Sequence, residues 1–427
     1  MTEKFVQFVW KHQLFQKSSL IGRGGEKIQI VFPGYQNSNS GPDFNEAQLI
    51  VDEIKWIGSI EIHIKESDWM NHKHHLDKNY DNIILHVVFE EDHHINTNSP
   101  TLCIAPHINS GLIEAHEEMM KKEQWIPCEN VIKEVNPIYI RSFLDNLLIE
   151  RIELKINQIL KEGNLYNNYW IETAYQIIFA NFGFKLNNVN FTLLAKSIPY
   201  KVIEENRDNL FRIEALLFGQ SGLLNNDYVD EYPILLWHEY CYLREKYQLK
   251  PISGHLWKFM RTRPSNFPTI RISQLAMFLQ VVESDFLEQI CMNDQAWISE
   301  KLNALKASTY WESHYHFDKK FKTTITGKFG ATSSNIYIIN GIVQLIFAFG
   351  KFLGNEEYIE KAMQILSSQK SEGNQIISGW AHLKIEAKNA ADSQALIHLK
   401  NYYCQEKRCL DCGIGYQIMT KGNIAVH

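Results

Sequence analysis

The sequence predicts an α+β chain: an N-terminal α/β domain, a mixed sheet flanked by helices, followed by a mostly α-helical C-terminal region. Two observations carry this. Before about residue 130, short alternating or β-branched runs are separated by turn residues, as strands are. Beyond it, apolar residues recur three and four apart with charges between them, as in amphipathic helices. A chain of 427 residues is too long for one small core, and the division read here is 1–130 and 131–427.

The elements follow in order. Phe5, Phe8, Val9, Leu14 and Phe15 lie at helical spacing over about residues 3–16. Arg23-Gly24-Gly25 makes a turn, and KIQIVF (27–32) alternates as a strand. Tyr35 to Gly41 reads as a polar loop. Ala47–Val51 and Lys55–Lys65 read as strands joined at an Asp52-Glu53 turn. Ser67-Asp68 can cap a helix from Trp69 to about Lys78. IILHVVF (83–89) is apolar and β-branched enough for a buried central strand, with more strand around Thr101 to Pro106. Helical patterns then occupy the region from Ile140 to Gly163, Tyr169 to Phe182, Val189 to Ala195, Leu210 to Phe218, Tyr232 to Tyr247, Ile272 to Ile290, Ile336 to Phe352 and Glu356 to Leu366.

Composition narrows the function classes. With 45% hydrophobic and 12% aromatic residues the chain can build packed cores, which argues against disorder. A net charge of −6 excludes binding nucleic acid through a global positive field, so any such contact needs a local basic groove. MTEKFVQFVWKHQLF lacks the apolar core and cleavage site of a signal peptide. No run approaches the roughly 20 apolar residues of a membrane helix, and Ile336 to Phe349 reads as a buried helix. Seven irregularly spaced cysteines argue against a secreted disulfide framework. The expectation is a soluble cytoplasmic protein with no membrane partner.

The chemistry concentrates around the second and third strands. Asp43 follows Pro42 just before the second strand, while Glu61, His63 and Lys65 share one face of the third. Two carboxylates on adjacent strand ends are what a hard cation such as Mg²⁺ or Mn²⁺ requires, and the Ile62 carbonyl is a further candidate ligand. His63 or Lys65 would activate water. His72, His74, His75 and Asp77 lie on or beside the expected helix, where zinc is conceivable although the spacing matches no standard zinc motif; His72 and His75, three apart, are the candidates to line the same cleft and contact substrate. His86 reads as a satisfied core histidine and His93-His94 as loop. Near the C-terminus Cys404-x4-Cys409-x2-Cys412 supplies three thiols, with Cys128 or a histidine such as His398 a candidate fourth ligand, for zinc or an iron–sulfur cluster. Arg261 and Arg263, near Arg271, are candidates to contact a phosphate backbone. No P-loop and no G-x-S-x-G is present.

Helix, three strands, helix, strand, with Pro42-Asp43 and Glu61-Ile62-His63 in that frame, resembles the PD-(D/E)XK nuclease superfamily. The resemblance implies a metal-dependent nuclease with Asp43 and Glu61 as ligands, and an acidic residue on the first helix, for which Glu3 and Glu26 are candidates. Histidine stands where lysine is usual, so a nuclease-derived scaffold or interaction module with a structural metal site is the alternative. The cysteine pattern resembles in outline the staple of some helicase-associated nucleases of that superfamily. GPDF, GSIEIHIKESD, WMNHKHH, NIILHVV, WIPC, RPSNFP and KRCLDC also resemble an uncharacterised bacterial family defined by domain of unknown function 2851. That second resemblance covers nearly the whole chain and implies no activity. A partner, nucleic acid or protein, would be expected on the helical region.

Overall fold

The first apolar run forms α1 (Glu3–Lys11), which buries Phe5, Val6, Phe8, Val9 and Trp10. It ends short of residue 16 because Gln13 takes a φ of 54°. Phe15 then folds back to stack on Trp10, which satisfies the apolar pattern without continuing the helix. The computed structural model from which these elements are drawn describes the chain except residues 38, 96–98, 122–123, 166–169, 226, 261, 283–284 and 422–427.

Seven strands make one sheet: β1 (Leu20–Ile21), β2 (Lys27–Phe32), β3 (Tyr35–Gln36), β4 (Phe44–Val51), β5 (Ile54–Lys65), β6 (Ile83–Glu90) and β7 (Thr101–Cys103). Their order is β1-β2-β4-β5-β6-β7, with β3 pairing on β4. The β2–β4–β5 pairings are antiparallel, and β5–β6 and β6–β7 are parallel. The β4–β5 hairpin closes through Asp52 and Glu53 at φ 45° and 70°, the two left-handed positions that a type I′ turn demands. The loop expected at Tyr35 to Gly41 contains β3, because Gly34 at φ 94° turns the chain back onto β4. Gly58 lets β5 approach the start of β6: a Cβ there would lie 2.5 Å from Ile84 Cγ2 and 2.6 Å from the Asn82 carbonyl oxygen.

Parallel strands need a crossover, and here it is short. Helix α2 (Asp68–Asn71) is followed by single 3₁₀ turns at His74–Leu76 and Lys78–Tyr80. The helix expected to reach Lys78 stops at Asn71, because Lys73 adopts the left-handed conformation at φ 63°. β6 is buried from Ile83 to Val88, the pattern of a strand covered on both faces.

The remaining described elements are mostly helical, so the α+β organisation expected from sequence is the one observed. The chain forms two compact units, one of Met1–Asp145, Gly379–Ile385 and Ile397–His427, the other of Asn146–Ser378 and Glu386–Leu396. In the second unit the run expected at Ile272 to Ile290 is two helices, Pro268–Val281 and Phe286–Met292. A helical run over Ala331–Leu353, continuous through a π turn at Ile338–Ile342, is long and apolar enough by composition to cross a membrane. Counting apolar residues alone shortens it, because Thr332 to Asn335 are polar. Its most apolar stretch is 61% buried inside the fold, as a core helix is.

A candidate metal centre of carboxylates and histidines

Asp43 sits between the Gly41 turn, at φ 101°, and the first residue of β4. The register Phe44↔Ile60 brings it beside Glu61 on β5. The two carboxylates are locked reciprocally by backbone donors. Asp43 N–H donates to Glu61 Oε2 at 3.1 Å, and Ile62 N–H donates to Asp43 Oδ2 at 3.0 Å. From α1, Gln7 Nε2 donates to Asp43 Oδ1 at 2.8 Å and to Glu3 Oε1 at 3.4 Å. The helix thus ties a third carboxylate to the pair. Glu26 instead lies against Gly22 and Gly24.

Burying these acids together disfavours their charged forms. Burial, and then the charge of Glu3, push the Asp43 carboxyl up. Glu61 is pushed up by burial and then by Asp43, and Glu3 by burial, opposed by nearby His72.

Glu61 Oε1 faces histidines. It lies 3.3 Å from His74 Nε2 and 3.6 Å from His63 Nε2. His63 Nε2 is 3.2 Å from His72 Nδ1, and His63 Nδ1 is 2.9 Å from His86 Nε2 on β6. His63, His72 and His74 each present a ligand atom within 4.8 Å of the other two. Trp69 packs its ring 5.1 Å from that of His86 and 5.5 Å from that of His74, while Tyr80 covers His74 at 3.9 Å. Burial chiefly, and then the neighbouring histidines, hold His63 down to about 2; burial and His74 hold His86 down to about 4. These imidazoles are neutral at neutral pH, with nitrogen lone pairs available.

The sequence candidates therefore separate. Asp43, Glu61, His63 and His72 come together. Lys65 is exposed two residues beyond His63, and His75 is exposed in the turn outside the cluster. Arg263 is exposed in the second unit, where Arg271 is buried and bonded to Gln274, Asn266 and Ser333. Arg261 lies outside the described residues. Gln7 escapes a reading by motif, and His74, part of the histidine segment read from sequence, is placed beside Glu61 and His63 by the structure. Gln7 carries one signal, its i,i+4 spacing from Glu3. His74 shares a face with His72 only because Lys73 breaks the helix between them.

The four cysteines Cys128, Cys404, Cys409 and Cys412 all belong to the first unit. Cys128, Cys409 and Cys412 are buried, Cys404 is half-buried, and none is in a disulfide. Burial chiefly raises all four; Cys412 and Cys409 add to the rise of Cys128, Cys128, Cys412 and Cys409 to that of Cys404, and Cys412 to that of Cys409. Cys412 stands at the N-terminal cap position of the helix Gly413–Thr420. Gly415 permits the tight loop, as a Cβ there would lie 2.2 Å from the Cys409 carbonyl oxygen.

Both clusters fit cations by their donor chemistry: hard oxygens at Asp43 and Glu61, imidazoles at the histidines, soft thiols at the cysteines. No curated protein and no solved structure matches the chain. A family model described as protein of unknown function (DUF2851) matches residues 3–375, and the chain belongs to that family.

Proposed function

We propose that the first unit is a metal-dependent phosphodiesterase of nuclease type acting on DNA or RNA, with Asp43 and Glu61 holding Mg²⁺ or Mn²⁺. The observation that carries this reading is the reciprocal lock of Asp43 and Glu61, two buried acids on neighbouring strands, with Glu3 tied to them through Gln7. Uncompensated, such a cluster is costly, and a divalent cation offsets its charge. The Pro42-Asp43 and Glu61-Ile62-His63 matches support the nuclease resemblance. When bound, the cation would supply charge neutralisation at the phosphodiester and acidity for a water.

The chain's own groups have distinct tasks. The N–H groups of Ile62 and Asp43 fix the carboxylate oxygens, and Gln7 holds Asp43 from the helix side. His63, held neutral and turned toward other histidines, is too weak a base to take a proton from water at neutral pH. Lys65, exposed on the same face of β5, is the better-placed group to orient water or phosphate. Purified protein is expected to nick DNA or RNA with Mn²⁺, and Asp43→Ala or Glu61→Ala to abolish nicking without lowering the melting temperature. Variants that cut like wild type would end this reading.

One observation favours the alternative, a nuclease-derived scaffold. Where the superfamily carries lysine, His63 is 1% exposed and engaged with its neighbours. In either reading we assign zinc or an iron–sulfur cluster to Cys128, Cys404, Cys409 and Cys412, and elemental analysis of protein purified without added metal tests it. A protein or nucleic-acid partner for the helical region is carried as a proposal with both.

A further inference from the structure

We infer that His63, His72, His74 and Glu61 form a second metal site, distinct from the carboxylate site, that takes a borderline divalent transition ion of the zinc type. It shares Glu61 with the phosphodiesterase reading but does not depend on that activity.

The spacing is the first argument. Metal–nitrogen bonds of about 2.0–2.1 Å at tetrahedral angles put ligand atoms about 3.3–3.4 Å apart. His63 Nε2 and His72 Nδ1 are 3.2 Å apart, His74 Nε2 and Glu61 Oε1 3.3 Å, and His63 Nε2 and Glu61 Oε1 3.6 Å. Three of the spacings thus match the edges of one tetrahedron, and His63, His72 and His74 each offer a ligand atom within 4.8 Å of the other two, with Glu61 Oε1 adjoining His63 and His74.

Tautomers supply the second argument. A neutral imidazole has one N–H. If His63 Nδ1–H donates to His86 Nε2, its Nε2 lone pair faces His72 and Glu61. A ligating histidine is normally held this way, with its other nitrogen donating to a fixed acceptor that sets ring orientation. His86 is 0% exposed on β6, and its Nδ1 finds no hydrogen-bond partner among the described residues.

The third argument is an unsatisfied atom. His74 Nε2 is buried and finds no hydrogen-bond partner among the described residues, although it points at Glu61 Oε1. The Nε2 atom and the Glu61 oxygen thus face each other at 3.3 Å without a hydrogen bond, and a cation between them would take both as ligands. Three imidazoles and a single carboxylate select zinc-like ions over Mg²⁺, which prefers an all-oxygen shell. Glu61 then joins the two sets: Oε1 faces the imidazoles, while Oε2, on the other side, accepts the Asp43 N–H.

The test is a Co²⁺ titration of the metal-stripped full chain, read by visible absorption. Four-coordinate Co²⁺ in a nitrogen–oxygen set gives ligand-field bands without the sulfur charge-transfer band that marks the cysteine site. Wild type and His75→Ala, an exposed neighbour outside the cluster, should both show those bands. His72→Ala/His74→Ala should lose them, and should bind one zinc fewer per chain by elemental analysis, with its circular dichroism and its cysteine band unchanged. Because His72 is exposed, the single His72→Ala variant is a second reading that leaves the core intact, with an expected loss in Co²⁺ affinity of tenfold or more. Full-strength nitrogen–oxygen bands in the double variant, or none in wild type, overturn the site. Failure of Mn²⁺-dependent nicking with these bands intact would overturn the phosphodiesterase alone.

Discussion

The histidine–carboxylate cluster and the cysteine cluster are both built in the first unit, yet they present opposite protonation problems. The imidazoles of His63 and His86 are already neutral, and a cation meets lone pairs. The four thiols are protonated, with Cys412 pushed up to about 11 and Cys409 to about 12, so every metal–sulfur bond displaces a proton. On the proposed reading, the first site is formed by packing before metal arrives, and the second would be completed by it. Burial thus prepares a nitrogen site and resists a sulfur site, because the ligand form is neutral in one case and charged in the other.

The largest effect that would break this comparison is catalytic. If the carboxylates hold the working cation, Asp43→Ala and Glu61→Ala each remove several kcal/mol of transition-state stabilisation, about a thousand-fold in nicking rate, while Cys404→Ser leaves the rate constant per folded molecule unchanged. Next comes metal affinity. Apparent zinc affinity at the thiols should climb steeply between pH 6 and 8, several protons leaving per ion, and only gently at the histidines. Competition titrations of Cys128→Ser and His72→Ala/His74→Ala would separate the two slopes, and equal slopes would erase the distinction. Chelation should also lower the melting temperature through the cysteine site, whose ligands span Cys128 to Cys412.

Much of the strand framework could be read from sequence because the signals were local. KIQIVF and IILHVVF have the composition of strands, and Asp52-Glu53 was legible as a turn. Asp43, Glu61 and His63 were legible for the same reason, since alternation and a hairpin register suffice to bring them together. His74 was not, because its place depends on one left-handed residue, Lys73, where the pattern reads as unbroken helix. Gln7 depends on how α1 docks on the sheet, a tertiary fact. The inclusion of Ile397–His427 in the first unit is likewise beyond any local signal, as is the pairing of His63 with His86 across β5 and β6.

Two smaller effects sharpen the account of the nitrogen site through pH. His86, normally near 6.5, is held down to about 4, so its contribution to stability is present above pH 6.5 and lost as pH falls toward 4. Between pH 6.5 and 5 that loss is about 2 kcal/mol. His86→Leu cannot show it. The penalty of the substitution, measured by denaturant titration, should therefore shrink by about that amount over the same interval. A constant penalty would mean that His86 is not buried neutral.

Glu61 titrates with the opposite sign. Its folded pKa is raised above the ordinary 4.5, so the stability it confers is fully present below that value and is lost as pH rises through the folded one. Glu61→Gln keeps an oxygen to accept the Asp43 N–H and removes the charge that Asp43 opposes. Metal-stripped Glu61→Gln should consequently melt higher than wild type at pH 8, by about 1 kcal/mol of stability or a few degrees, and the gain should vanish near pH 4. Added divalent cation should invert the order at pH 8, because wild type alone regains a carboxylate ligand. If the variant is already less stable than wild type in the stripped state at pH 8, the carboxylates are held by their hydrogen bonds more strongly than they repel, and the physical reason for a cation at Asp43 and Glu61 disappears.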